Sequence, residues 1–212
     1  MNFDPSIKVY FVYGELDEPL FEYDSFSDLI FNEVKEHHYL NIEKTIKAMN
    51  YIDSCIEYDY FIRTNLSTFW DFNKLHLQLN ILPKENCYSG NGPLPTNDLN
   101  GYYFRGVDVI VTPDMIKSII SNKHLLDYFT SEDATMGKYF NGYLKAPMLP
   151  TNRICFFEDI NGENEFEKIM SRIKQSLENN INHYRVKSIN KREQTDIYIY
   201  KILLKTIYNI DY

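Results

Sequence analysis

Tyr58-Asp59-Tyr60-Phe61-Ile62-Arg63-Thr64-Asn65-Leu66-Ser67 is the stretch on which the reading of the chain turns. Aromatic and β-branched residues over 58–62 predict a strand, and the polar run Arg63 to Ser67 predicts the turn that ends it. A short helix is expected next, around Asp71 to Leu79. Upstream, Ile42, Ile46, Met49, Ile52 and Ile56 recur at helical spacing behind Asn41, a residue suited to a helix cap. A helix therefore leads into a strand, and a polar turn leads into the next helix. Strands alternating with helices imply an α/β fold, expected here as one domain, 1–212, with a mostly parallel sheet and helices on both faces. Ligands of such sheets bind beyond the carboxyl ends of the strands, which is where Arg63 to Ser67 falls.

The same alternation extends in both directions. Ile7 to Tyr13, stopped by Gly14, and Asp28 to Val34 read as strands. Pro83 to Asn100, with Gly90, Gly92, Pro93 and Pro95, reads as an irregular loop, either a surface excursion or a functional segment. Tyr102 to Thr112 reads as two short strands broken at Arg105-Gly106, and Pro113 opens a helix at its first turn. A helix over Glu132 to Gly142 and a strand over Arg153 to Glu158 follow. Phe166, Ile169, Met170, Ile173 and Leu177 form a helical core stripe. His183 to Lys187 alternates as a strand. The last helix puts Ile197, Tyr200, Leu204, Ile207 and Tyr208 on one face. No internal repeat or clean linker divides the chain.

Bulk properties narrow the function. The 212 residues are 44% apolar and 16% aromatic, enough for a real core. A net charge of −8 repels phosphate backbones, so generic nucleic-acid binding is not expected. No apolar run is long enough for membrane insertion. Met1 to Pro5 shows no basic segment leading into an apolar one, so no secretory signal is read there. Cys55, Cys87 and Cys155 lie far apart and read as reduced packing residues, in keeping with a soluble, cytoplasmic protein. In that compartment the glycosylation sequon Asn65-Leu66-Ser67 is a chance match.

Four segments offer chemistry, and each has a structural reading beside the functional one. Arg63 can pair with phosphate while Asn65 and Ser67 bond a ligand or complete a cation's oxygen shell, or the run merely caps the next helix. Glu132 and Asp133, after Ser131, can supply a general base, or can simply complement a helix dipole. His183, Arg185 and Lys187 share one side of a strand and suit an anion such as a diphosphate, or protect a solvated edge. In Arg105-Gly106-Val107-Asp108 the glycine admits close approach of backbone to ligand, or marks a bulge. No Walker loop, GxGxxG, HExxH, CxxC or GxSxG occurs.

The order of these segments resembles the β-1,3-galactosyltransferase-like group of GT-A-fold glycosyltransferases and its microbial and giant-virus relatives. The segments that carry the likeness are "VYFVYG", within Ile7 to Gly14; "YLNIEKTIKAM", Tyr39 to Met49; "YDYFIRTNLSTF", Tyr58 to Phe69; "FRGVDVIVTPDMI", Phe104 to Ile116; "SEDATMGKYF", Ser131 to Phe140; and the late His183. The likeness spans Ile7 to Lys187. It implies a nucleotide-binding half over 7–70, an acceptor half over 80–187 and a closing helix over 193–209. It also implies transfer of a hexose from a nucleoside diphosphate sugar, uridine-based, to a hydroxyl of a glycan, protein or small molecule. In such an inverting reaction Asp133, beside Glu132, is the base. Arg63, Asn65, Ser67, Gly106, Arg185 and Lys187 would hold the donor. Family members bind Mn²⁺ or Mg²⁺ through an aspartate-x-aspartate turn, but here Asn65, Leu66 and Ser67 stand in that turn. A metal would then depend on Asn65, His183 and Asp133; otherwise Arg63, Arg185 and Lys187 would neutralise the diphosphate without one. Two rival readings remain. One is an inactive glycosyltransferase-like module that recognises a glycan or protein, and the other an unrelated α/β enzyme of phosphorylated small molecules.

Overall fold

The structure, a computed structural model, describes residues 6–15, 28–35, 41–96 and 101–211. Strands β1 (Phe11–Glu15) and β2 (Asp28–Lys35) precede helix α1 (Asn41–Cys55), which buries Ile42, Ile46, Met49 and Ile52 as their spacing predicts. Then come β3 (Phe61–Thr64), β4 (Thr68–Trp70) and α2 (Phe72–Ile81), whose N-cap Asp71 accepts a hydrogen bond from the Lys74 N–H. β5 (Tyr88–Asn91), β6 (Leu94–Pro95), β7 (Tyr102–Tyr103) and β8 (Asp108–Val111) lead into α3 (Pro113–Ser121). α4 (Glu132–Gly137) runs on into a π-helical turn at Lys138–Tyr143. β9 (Met148–Thr151), β10 (Ile154–Phe156), α5 (Glu163–Glu178), β11 (His183–Val186) and α6 (Ile197–Tyr208) complete the order.

The fold is α/β, but its sheets are mixed rather than mostly parallel. A four-stranded sheet has the order β3-β8-β5-β9 and a three-stranded sheet the order β10-β11-β4; β1 pairs with β2, and β6 with β7. The pairings β1–β2, β10–β11 and β5–β9 are parallel, whereas β11–β4, β3–β8, β5–β8 and β6–β7 are antiparallel. The connections explain the difference. Parallel neighbours need a crossover of a dozen or more residues, usually helical. Two helices, α3 and α4, separate β5 from β9, and that pair is parallel. Only the β6–β7 hairpin separates β5 from β8, so β8 runs back antiparallel.

β5 itself falls inside the stretch expected to be irregular. Ser89-Gly90 has little strand propensity, yet it is buried at the centre of the larger sheet. The Ser89 hydroxyl donates to the Leu149 carbonyl at 2.8 Å, and Gly90 is needed because a Cβ there would lie 2.7 Å from Phe104 Cβ. Residues 97–100 of the expected loop lie outside the described residues, as does much of the stretch between β1 and β2.

Strand alternation sorts side chains onto two faces of each sheet. On the four-stranded sheet Phe61, Tyr88, Val109 and Val111 face one way and join Ile42, Met49, Ile116, Ile119 and Phe140 in the main core. On the three-stranded sheet Phe69, Phe156, Tyr184 and Val186 pack against Ile169, Ile173, Ile199 and Leu203 of α5 and α6. The opposite faces carry the polar residues, Thr64 and Asp108 on one sheet and Trp70, His183 and Arg185 on the other.

Gly137 is the tightest point of this packing. A Cβ there would sit 2.1 Å from Tyr103 Cβ and 2.7 Å from the Tyr102 carbonyl oxygen. Gly137→Ala should therefore cost about 1–3 kcal/mol as an overpacking substitution. Urea unfolding would show it as a lower midpoint at unchanged slope; an unmoved midpoint would contradict the close contact.

Candidate active site and the polar layer behind it

At the paired ends of β3 and β8, four of the expected site residues meet. Arg63 projects from the same face as Val109, toward the start of α4. Its Nε donates to Glu132 Oε1 at 2.9 Å and its Nη2 to Oε2, a forked ion pair. Glu132 is only 6% exposed, and the Thr45 hydroxyl donates to its Oε1 at 2.6 Å. Its charge is fully engaged, so Glu132 holds the end of α4 against β3 and α1. Arg63, expected on phosphate, has this carboxylate as its partner.

Asp133 stands beside that pair and is half-buried. Its Oδ2 accepts the Gly106 N–H at 3.1 Å, and its Oδ1 accepts the Ala134 N–H at 3.0 Å. Gly106 has no room to spare, since a Cβ there would lie 3.1 Å from Asp133 Cβ and 3.5 Å from Arg63 Nη1. The glycine therefore allows the 105–107 turn to press against both side chains. Backbone fixes the Asp133 carboxylate in orientation, and its remaining lone pairs can accept a proton from an incoming hydroxyl.

Asn65 and Ser67 lie in the turn between β3 and β4 and are satisfied locally. Asn65 Oδ1 accepts from the Ser67 N–H at 3.1 Å and from the Ser67 hydroxyl at 2.8 Å, an Asx-type turn. The Ser67 carbonyl accepts the Val186 N–H at 2.8 Å, which ties the turn to the end of β11. These residues do not fit Mn²⁺ or Mg²⁺, which favour carboxylate oxygens: the amide oxygen is already used, and no group of ligating side chains stands there among the described residues. His183, a second expected ligand, is no better placed. It lies across the sheet from Arg63 and is stacked on Trp70 at 4.2 Å between ring centroids.

His183 belongs to a second polar cluster, held between the two sheets. Its Nδ1 is 3.1 Å from Asp108 Oδ2, close enough for the carboxylate to act on the ring, and its Nε2 has no hydrogen-bond partner among the described residues. Arg153 Nη1 donates to Asp108 Oδ1 at 2.9 Å, with the arginine side chain 2% and the aspartate 1% exposed. The Thr151 hydroxyl is 3.4 Å from Asp108 Oδ2. Burial pushes His183 below its ordinary value; Asp108 pulls the other way, and Arg153 and Arg185 reinforce the burial. The ring is thereby biased toward the neutral form. Arg185 lies over the Phe157 ring at 5.6 Å. Lys187 is exposed one step beyond β11 and does not join the cluster through any contact among the described residues.

Six of the expected residues thus form two groups, with Asn65 and Ser67 bonded to each other in their own turn and Lys187 apart from both. Arg63, Gly106, Glu132 and Asp133 come together on one face of the larger sheet, while His183 and Arg185 come together on the other. Arg153 and Trp70 went unnoticed as site residues. Trp70 ends the short strand β4 and Arg153 lies in the turn between β9 and β10, where one tryptophan or arginine gives no periodic signal. The chain matches no protein-family model, and no curated protein matches its sequence.

Proposed function

We propose that the chain transfers a sugar from a nucleoside diphosphate sugar to an acceptor hydroxyl, with Asp133 as the base and a GT-A-like arrangement of the nucleotide-binding half. The observation that carries this reading is the assembly of Arg63, Glu132, Asp133 and Gly106 at one strand-end rim. The resemblance in sequence assigns these same four residues to donor and acceptor chemistry. In this reaction Asp133 takes the proton of the acceptor hydroxyl as its oxygen attacks the anomeric carbon. The bond from that carbon to the diphosphate breaks, and the diphosphate leaves with its electron pair. Arg63 acts through Glu132 as a positioning residue. A uridine diphosphate sugar as donor and a glycan, protein or small molecule as acceptor are the proposed partners, and no metal-dependent step is assigned.

A second reading has its own support. The Asn65-Leu66-Ser67 turn is satisfied internally, as expected of a binding module that keeps the fold for recognition of a glycan or protein. The two readings separate in one experiment, a thermal-shift panel of nucleoside diphosphate sugars with donor hydrolysis followed in parallel. A ligand at about 100 times its dissociation constant adds roughly 2.7 kcal/mol, readily seen in melting. Stabilisation by uridine diphosphate sugars with slow hydrolysis supports the transferase. Stabilisation without hydrolysis supports the binding module, and no response to any donor removes the transferase reading.

A further inference from the structure

The polar layer between the sheets holds more positive charge than it neutralises. Arg153, from the turn between β9 and β10, pairs with Asp108 there; Arg185 enters from β11; and Arg105, in the turn before β8, stands near enough to Arg185 to oppose its charge. Among the described residues Asp108 is the one carboxylate in contact with the group; its Oδ1 accepts from Arg153 and its Oδ2 lies 3.1 Å from His183 Nδ1. Neither Arg105 nor Arg185 forms an ion pair among the described residues. Burial, then the nearby Arg153, push Arg185 below its ordinary value, with Arg105 acting in the same direction. An arginine nevertheless stays charged in a protein.

The donors are also left over. Arg153 Nε, Arg185 Nε and His183 Nε2 are buried without a hydrogen-bond partner among the described residues. A buried donor without an acceptor is costly, and a buried unneutralised charge more so. Three such polar atoms in one layer, in a chain of net charge −8, have a simple common explanation. The layer is also reachable: Arg105 is exposed and Arg185 half-buried, so the cluster opens to solvent on their side. Arg105 additionally faces the Gly92 bend, where a Cβ would stand 3.9 Å from its Nε.

We propose that Arg105, Arg153 and Arg185, with His183, form a binding site for a phosphoryl oxyanion, the diphosphate group being the best match to three guanidinium groups. Each guanidinium offers a planar fork of N–H donors suited to phosphate oxygens. Asp108 keeps Arg153 in place and prevents the empty site from carrying three uncompensated charges. The site does not depend on the reaction proposed above and lies on the other face of the sheet from Asp133.

The test is calorimetric titration of the full chain with inorganic pyrophosphate, orthophosphate and uridine diphosphate, in chloride buffer of fixed ionic strength. Pyrophosphate should bind more tightly than orthophosphate. Arg185→Gln should weaken it about tenfold or more, the worth of a charge-assisted hydrogen bond. Arg105→Gln, a change at an exposed side chain, should also weaken it and serves if the first variant folds poorly. Lys191→Gln is the control and should leave binding unchanged. Uridine diphosphate binding more tightly than pyrophosphate assigns the anion to a nucleotide, and equal binding assigns it to the phosphates alone. Absence of pyrophosphate binding in the wild-type chain, or binding that survives both arginine substitutions, overturns the site. Donor hydrolysis can fail while pyrophosphate still binds, so failure of the reaction and failure of the site are separable.

Discussion

Asp133→Asn should lower sugar transfer by about 10²–10⁴-fold, the usual worth of a positioned general base. The substitution keeps the shape of the side chain and removes its capacity to take a proton. It also tests geometry, because the two carboxylate oxygens accept from different N–H groups, those of Gly106 and Ala134. An amide can satisfy one and must turn its NH₂ toward the other, so stability should fall only by about 1 kcal/mol. The expected signature is a large loss in kcat with a nearly unchanged melting temperature. A loss below about threefold would remove Asp133 from the base role. Glu132→Gln provides the contrast, since it weakens the forked pair with Arg63 and should act first on folding.

Asp108→Asn should be among the most destabilising single changes in the molecule. Arg153 and Asp108 are both almost wholly buried, and the aspartate is the arginine's one charged partner among the described residues. Removing one member of such a pair strands the other charge and typically costs about 3–5 kcal/mol. For a chain of this length that corresponds to a fall in Tm of about 10 °C. Pyrophosphate should restore part of the loss, because an oxyanion can face Arg153 where the carboxylate did. A melting temperature unchanged by the substitution would mean that the buried pair contributes little.

Periodicity made the helices legible. The stripes in α1 and α5 were plain from the spacing of Ile42, Ile46 and Met49 and of Ile169 and Ile173, because burial of one helical face leaves a 3.6-residue record. β8, β10 and β11 were legible for a similar reason. β5 was not, because its contribution is backbone pairing and tight packing by Ser89 and Gly90, which leave no apolar pattern. Strand direction was also hidden, since the alternation of strands and helices does not record that β8 returns beside β5 antiparallel. At the candidate site, the nearness of Arg63 to Glu132 and of Asp133 to Gly106 follows from strand pairing and helix placement, which sequence spacing does not encode. The deep Asp108–Arg153 pair was hidden for the same reason, its members 45 residues apart.

The pairing of β4 with β11 has a consequence for how the chain is made. β4 finds its strand partner only when His183 to Arg185 are present, and the Tyr208 hydroxyl, which donates to the Trp70 carbonyl, also accepts the Phe72 N–H from 136 residues away. At ~5–20 residues per second, a ribosome needs on the order of ten seconds to deliver that hydroxyl after Phe72 has been joined. During that interval Phe69 and Trp70 have neither the strand nor the rings that later cover them. The nascent chain is thus open to sticking or proteolysis around 68–72, and slowing elongation after that point would lengthen the exposure.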